Sequence, residues 1–225
     1  MTITRELAFD ADGGRVSAIL DAPAHAWAGF VFAHGAGAGM RHPFMRSVAA
    51  GLAERGIAVL RYQFPYMEHG AKRPDRPPVA HATVRAAVDA AGRALPGLPL
   101  IAGGKSFGGR MTSQAQAIEA LSGVAGLAFF GFPLHPAGKP SDERAAHLFD
   151  VRVPMLFLQG TRDALADLDL LRPLVKKLGR RATLHVVAEG DHSFRVSAKT
   201  GVKPADVMNA ILDTFSDWAR RITRD

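Results

Sequence analysis

A serine flanked by glycines, between an apolar run and a helical pattern, constrains this chain more than any other feature. Residues 98–121 read LPLIAGGKSFGGRMTSQAQAIEAL, and GKSFG, centred on Ser106, fits the pattern G-x-S-x-G. Where a strand turns sharply into a helix the two elements lie close together, and glycines two residues either side of the serine remove side chains that would collide. Met111, Ala115 and Ile118 follow at spacings that predict a helix. The stretch therefore predicts a nucleophile elbow with Ser106 as the nucleophile.

Two phosphate-binding motifs resemble parts of the sequence but lack required glycines. A P-loop ending in the same GKS would need glycine at position 99, where Pro99 stands. A dinucleotide fingerprint starting at Gly35 or Gly37 would need glycine in place of Met40 or His42. We therefore exclude both nucleotide-binding interpretations.

Length and composition predict one globular domain over residues 1–225. The chain is 48% hydrophobic and 22% charged, which is ordinary globular usage, and 225 residues are enough for a substantial core. It has no cysteine, so disulfides and thiolate metal sites are impossible. The first residues lack the apolar core of a signal peptide, and no apolar run reaches the length of a membrane span. We expect a cytoplasmic protein with no membrane partner.

The formal net charge of +7 raises the possibility of nucleic-acid binding. However, the basic residues are scattered, and aromatic residues are not interleaved with them as a stacking platform requires. The only basic pairs are short and lie at 72–73, 176–177, 180–181 and 220–221. A solvated basic surface and no nucleic-acid partner are predicted.

Apolar runs alternate with helical patterns along the chain. Strands are predicted at 3–9, 15–21, 28–33, 57–60, 98–102, 126–132, 153–158 and 183–187, and helices at 43–55, 80–95, after the elbow, at 164–178 and from Pro204 onward. Residues 61–79 are rich in proline and predicted to be irregular. This alternation is typical of an α/β fold with a doubly wound, mostly parallel sheet flanked by helices.

A base and an acid that could activate Ser106 follow it in the order Ser, Asp, His. The predicted strand VPMLFLQG runs into Thr161-Arg162-Asp163, which places Asp163 just past its end, and His192 lies in the loop after LHVVAEG. Active residues of open α/β sheets collect at the carboxyl ends of strands, so the three are expected at one edge and predict a Ser-His-Asp triad. Alternatives remain: Asp163 could cap a helix, Asp167 and Asp169 are nearby carboxylates predicted to lie inside that helix, and His192 could be an ordinary loop histidine.

A triad also needs donors for the tetrahedral oxyanion. In this arrangement they are the backbone N–H after the nucleophile and one from the loop after an earlier strand. Phe107 supplies the first. The loop HGAGAG at residues 34–39 follows an apolar strand and supplies the second, with Ala36 favoured and Gly37 as the alternative.

The segments HGAGAG, GGKSFGGR, GTRDALAD and EGDHSF together resemble those of α/β-hydrolases over nearly the whole chain. More narrowly, the chain is similar to the small, capless dienelactone-hydrolase-like members. It also resembles a testis-expressed and KANSL-type branch that shares HGAGAG, RYQFPYM and GGKSFGGR. That branch implies hydrolase-type activity without a settled substrate, and some of its members act in larger complexes. Dienelactone hydrolases use a cysteine nucleophile, whereas this chain has Ser106 at that position. The resemblance therefore does not imply that this chain acts on dienelactones.

Only about twenty residues, 133–152, separate two predicted strands where a helical cap would be inserted, so an open, shallow site without a large cap is expected. Residues 63–69 are expected to project over the same edge, with 63–79 as a possible lid. Candidate apolar walls, each of which could equally pack in the core, are Met40, Phe64, Tyr66, Met67, Phe107 and Phe132. Arg41 and His42 could meet a polar or anionic end of the substrate.

The histidines lack metal-ligand spacing such as H-E-x-x-H, so neither a metal nor a cofactor is predicted.

The function predicted is a serine hydrolase that cleaves a small-molecule ester or thioester through an acyl-enzyme. The alternative is a non-catalytic α/β-hydrolase fold that serves as a binding or scaffold protein. The complete set of Ser106, Asp163 and His192 favours the enzyme.

Overall fold

The computed structural model describes residues 1–223 and contains an eight-stranded sheet. Its strands are Thr2–Ala11 (β1), Gly14–Pro23 (β2), Ala28–Ala33 (β3), Ile57–Tyr62 (β4), Leu100–Lys105 (β5), Val124–Phe130 (β6), Met155–Gly160 (β7) and Ala182–Val187 (β8). The strand order is β1-β2-β4-β3-β5-β6-β7-β8. β2 pairs antiparallel with β1 and β4, and the remaining pairs are parallel.

Within residues 1–223, six α-helices accompany the sheet. They are Pro43–Glu54 (α1), Pro65–Glu68 (α2), Pro77–Ala94 (α3), Phe107–Ile118 (α4), Leu168–Leu178 (α5) and Pro204–Ile222 (α6). Buried side chains of α1 and α6 pack on one face of the sheet, and those of α3, α4 and α5 pack on the other. The predicted doubly wound, mostly parallel fold is confirmed.

The central strands are apolar throughout because both of their faces are covered. All six residues of β3 are buried. Phe30 and Phe32 face the α1/α6 layer, whereas Val31 and Ala33 face the α3/α4/α5 layer, as the two-residue period of a strand requires. The carboxyl end of each central strand is left at one edge, where the connecting loops begin.

Two predicted boundaries were wrong. Helix α5 was expected from residue 164 but begins at Leu168, because Asp163 accepts the N–H of Leu165 and Asp167 caps the helix through the N–H of Asp169 at 2.8 Å. Asp167 is thus a cap and not an interior residue. Residues 61–79 are not wholly irregular, since they complete β4, form α2 and begin α3.

Between β6 and β7 the described chain holds a 3₁₀ segment, Glu143–Phe149, and no inserted domain. Ala145 and Leu148 of this segment are buried against the core. None of the helices within residues 1–223 is both long enough and apolar enough to cross a membrane.

Candidate active site

Ser106 lies at the turn between β5 and α4 in a strained conformation. Its φ of 50° and ψ of −115° fall where side-chain-bearing residues rarely occur, at a cost on the order of 1–3 kcal/mol. The turn is held because Ser106 N–H donates to Phe130 O at 3.2 Å and Ser106 O accepts from Arg110 N at 3.1 Å. The side chain is left partly exposed at the carboxyl edge of the sheet.

The glycines around Ser106 are required by close packing of backbones. A Cβ at Gly104 would lie 2.6 Å from Ala33 O, and a Cβ at Gly108 would lie 2.6 Å from both Ala33 O and His34 O. Real Cβ atoms do not approach backbone this closely, so any side chain would push β3 away from α4. Hydrogen atoms at these two positions let the elbow sit directly against the end of β3.

His192 and Asp163 are in contact at the same edge. His192 Nδ1 lies 2.7 Å from Asp163 Oδ2, and the Asp163 side chain is fully buried while a quarter of the His192 side chain is exposed. Asp163 Oδ1 accepts from Leu165 N at 2.8 Å, and Oδ2 also accepts from Gln159 Nε2. These bonds fix the carboxylate. A proton on Nδ1 directed at it leaves Nε2 free to accept another.

Ser106 and His192 line one cavity of about 350 Å³. Its other lining residues are Gly35, Ala36, Ala38, His42, Phe44, Met45, Lys105, Leu165 and Ser193. Among the described contacts no hydrogen bond joins the Ser106 and His192 side chains. In enzymes this contact often tightens only once substrate is bound.

The predicted walls of this cavity were largely wrong. Met40, Phe64, Tyr66 and Phe132 are buried in the core, and Met67 packs next to Gly39; none of these five lines the cavity. Phe107 packs edge-on against Phe64 with ring centroids 5.4 Å apart. His42 does line the cavity, whereas Arg41 pairs with Glu6 at 2.6 Å. The apolar walls are Phe44, Met45 and Leu165. The first two lie in the first turn of α1, the helix that follows the HGAGAG loop, and could have been found from that position.

Residues 63–69 pack against the loop after β3 and do not line the cavity. Tyr66 Oη accepts the N–H of Gly37 at 3.0 Å, so this donor is already occupied. Ala36 lies on the cavity wall. This geometry favours Ala36 over Gly37 as the second donor toward a bound substrate.

A buried histidine also fixes this loop. His34 Nδ1 donates to Gly35 O at 2.8 Å, and Nε2 accepts from Phe64 N at 3.1 Å. Burial lowers the pKa of His34 to about 4, and this effect outweighs the hydrogen bond to Gly35, which acts in the opposite direction. The ring is therefore neutral at physiological pH, and its two hydrogen bonds join the loop after β3 to the loop after β4.

A second serine-histidine contact joins Ser113 of α4 to His147 of the 3₁₀ segment. Ser113 Oγ is 2.8 Å from His147 Nε2 and donates to Arg110 O at 2.9 Å. Burial, Arg110 and His81 lower the pKa of His147 to about 4. Ser113 is fully buried, so a substrate cannot reach its hydroxyl, and the pair packs α4 against the 3₁₀ segment Glu143–Phe149.

Other parts of the described chain are weaker candidates for a metal or substrate site. Within residues 1–223 no three histidine, aspartate or glutamate side chains converge as metal ligands. A larger cavity of about 580 Å³ lies between β1, β2 and α1. Its wall includes the ion pair of Arg61 and Asp21 at 2.6 Å, but neither Ser106 nor His192.

Comparison with known proteins identifies the family. The profile of the family described as alpha/beta hydrolase domain matches residues 26–220. The chain belongs to this family. The resemblance to the testis-expressed and KANSL-type branch stays a prediction.

Several solved structures share the fold at low sequence identity. A dienelactone hydrolase from Anabaena variabilis is 19% identical, with 99% of each chain covered and a TM-score of 0.77. An α/β serine hydrolase without a lid from Xanthomonas campestris is 22% identical, with 96% of this chain and 94% of that chain covered and a TM-score of 0.74. An esterase domain from Rhodothermus marinus is 18% identical, with 98% and 99% covered and a TM-score of 0.74.

Proposed function

We propose that this protein is a serine hydrolase that cleaves small esters or thioesters through an acyl-enzyme. The observation that carries the proposal is the contact of 2.7 Å between His192 Nδ1 and Asp163 Oδ2, on a cavity that also exposes Ser106. An oriented imidazole that shares a cavity with a strained, partly exposed serine is the arrangement that can convert a weak hydroxyl nucleophile into a reactive one.

In the acylation step, His192 Nε2 accepts the proton of Ser106 Oγ as this oxygen attacks the substrate carbonyl carbon. The carbonyl electrons move to oxygen and form a tetrahedral oxyanion. When the intermediate collapses, the bond to the alcohol or thiol breaks, and His192 returns the proton to the leaving group. Water then repeats the sequence on the acyl-enzyme, which releases the acid and restores Ser106.

Asp163 has two roles in this scheme. Its carboxylate holds the Nδ1 proton of His192, which keeps Nε2 unprotonated and directed toward the cavity. It also stabilises the imidazolium that forms during attack. Because Leu165 and Gln159 already donate to this carboxylate, it reorganises little as charge develops.

Phe107 and Ala36 provide the donors for the oxyanion. Phe107 is the first residue of α4, and the first N–H groups of a helix have no acceptor within it. The helix dipole adds favourable potential for negative charge at this end. Ala36, on the cavity wall, contributes the second backbone donor, next to the Gly37 N–H that Tyr66 already engages.

Covalent labelling tests this function. Purified protein is incubated with a fluorophosphonate probe, and the modified peptide is identified by mass spectrometry. We expect the label on Ser106, its loss in Ser106→Ala, and its retention in Ser193→Ala, which alters another serine of the same cavity. A folded protein that takes no label, or takes it elsewhere, would support the binding or scaffold alternative instead.

A further inference from the structure

A buried lysine joins the nucleophile strand to the loop that carries His192. Lys105 is the last residue of β5, directly before Ser106, and is only 9% exposed. Its Nζ donates to the backbone oxygen of His192 at 2.6 Å, between residues 87 positions apart in the chain. This distance is that of a strong, charge-assisted hydrogen bond.

The surroundings of the Lys105 amine keep it in place. The rings of Phe44 and Phe194 lie 5.8 and 5.9 Å from Nζ, within range of a cation–π interaction. Burial lowers the pKa of Lys105 to about 8, although Asp163 and Asp191 favour the charged form. The amine is therefore mostly protonated at neutral pH.

The loop after β6 reaches the same point. Gly131 has a φ of 68°, and a Cβ there would lie 3.0 Å from Lys105 Nζ and 3.1 Å from His192 O. A side chain at this position would be strained and would press on the hydrogen bond. Glycine at 131 thus leaves the space in which the amine and the carbonyl meet.

Other hydrogen bonds of the His192 loop lead toward the loop after β7. Arg162 N donates to Gly190 O at 2.8 Å, and Glu189 N donates to Thr161 Oγ1 at 2.8 Å. These bonds set His192 relative to Asp163. The bond from Lys105 instead sets His192 relative to β5, the strand that leads into Ser106.

We propose that Lys105 is a positioning residue that fixes the backbone of His192 relative to Ser106, and so sets the distance over which the proton is transferred. The proposal rests on the proposed serine hydrolase function. Its effect falls on the rate of the chemical step, because a base displaced by a fraction of an ångström still binds substrate but accepts the proton less well.

The first test compares Lys105→Met with Lys177→Met, a matched change of an exposed lysine on α5. Active sites are counted by titration, so that rates refer to folded, competent protein. Loss of one charge-assisted hydrogen bond should lower kcat for a p-nitrophenyl ester about 10- to 100-fold with little change in KM. Lys177→Met should match the wild type. An unchanged kcat per titrated site in Lys105→Met would overturn the proposal.

The second test is read from the wild-type protein, with Lys105→Met as its control. The ammonium is faced by Asp163, Asp191 and His192, and His42 lines the same cavity. As the pH rises through about 8, the amine loses its charge and its bond to His192 O weakens. Wild-type kcat/KM, corrected for spontaneous hydrolysis, should decline above that pH, and the decline should be absent in Lys105→Met. A wild-type profile that is flat from pH 7.5 to 9.5 would contradict the proposal.

Proton NMR separates this proposal from the proposed function. The proton between His192 Nδ1 and Asp163 Oδ2 should resonate downfield of the amide region, and we expect its signal to shift or broaden in Lys105→Met but not in Lys177→Met. This readout requires no turnover, so it remains valid if the protein proves not to be a hydrolase. A signal unchanged in Lys105→Met would count against the positioning role whatever the activity.

Discussion

The side-chain amide of Gln159 donates to the same oxygen of Asp163 that contacts His192. Gln159 Nε2 lies 2.5 Å from Asp163 Oδ2, and Gln159 Oε1 accepts the N–H of Phe132 at 2.9 Å. Gln159 is fully buried in β7. One amide therefore joins Asp163 to the loop after β6. Its oxygen gives the buried Phe132 N–H a partner, and its nitrogen adds a donor to a carboxylate that His192 and Leu165 also contact.

Replacing this amide should reduce both stability and activity. Gln159→Met keeps the length of the side chain but leaves the buried Phe132 N–H unsatisfied, which should cost about 1–3 kcal/mol of unfolding free energy. It also removes one of the donors that hold Asp163. Urea denaturation and kcat/KM measure the two effects. The control is Gln114→Met on α4, a partly exposed position that bonds His81, and it should change activity little. Equal activity of Gln159→Met and wild type would show that Asp163 needs no such support.

Asp163 and its neighbour Asp167 should differ sharply under the same substitution. Asp163→Asn should lower kcat on the order of 10⁴-fold, because an amide no longer fixes the His192 tautomer. Asp167→Asn should be nearly silent, since asparagine caps a helix about as well as aspartate. Ester hydrolysis and thermal unfolding of both variants provide the measurements. The reverse result would assign the acid role to Asp167.

Short acyl chains should be the best substrates. The cavity holds about 350 Å³, and its apolar wall is formed by Phe44, Met45 and Leu165. Each buried methylene contributes roughly 0.8 kcal/mol, or about fourfold in kcat/KM, but only while the wall covers it. We therefore expect kcat/KM to rise over acyl chains of about two to six carbons and then to level off or fall.

An acyl series from acetate to palmitate checks this expectation. Leu165→Ala removes part of the wall and should weaken the dependence on chain length, while the backbone bond from Leu165 to Asp163 is kept. A continuous rise toward palmitate would mean that residues 63–79 move from their packed position and close over the substrate.

Buried His34 should make the fold sensitive to acid. Its pKa is about 4 in the folded protein and 6.5 in the unfolded chain, so below pH 6.5 only the unfolded state takes up its proton. The contribution of His34 to the free energy of unfolding is fully present above pH 6.5. It decreases by on the order of 3 kcal/mol as the pH falls to about 4. The free energy of unfolding by urea between pH 4 and 8 measures it.

His34→Gln supplies the comparison, because glutamine does not titrate and can still accept the Phe64 N–H. This variant should show a shallower decline with acid, whereas His69→Gln at an exposed position should follow the wild type. Identical slopes for His34→Gln and wild type would mean that other groups cause the acid sensitivity.

The sequence was most informative where local backbone chemistry decides the structure. Glycines beside Ser106 predict a sharp strand-to-helix turn, and apolar runs ending before Asp163 and His192 predict which sheet edge carries them. These inferences need only the order of residues along the chain. The positions of all three side chains at one edge follow from the parallel topology.

Contacts that depend on side-chain direction could not be predicted in this way. Phe132 follows a strand, as a wall residue would, yet it turns into the core and packs on Phe157 with ring centroids 5.8 Å apart. The hydrogen bond from Lys105 to His192 joins residues 87 positions apart, so no local sequence pattern indicates it. Gln159 did leave a signal, since a polar residue at the end of the buried run VPMLFLQG must find a partner.

The backbone contacts beneath the elbow also restrict which changes this chain can tolerate as it evolves. Gly104 and Gly108 face carbonyl oxygens at distances that no side chain fits, so random substitution at either should be eliminated whatever the substrate. Lys105 and Phe107 between them carry side chains that contact the His192 loop and the loop after β4. Divergence of specificity in descendants of this protein should therefore accumulate in the cavity wall, at Phe44, Met45 and Leu165, while the two glycines of G-x-S-x-G stay fixed.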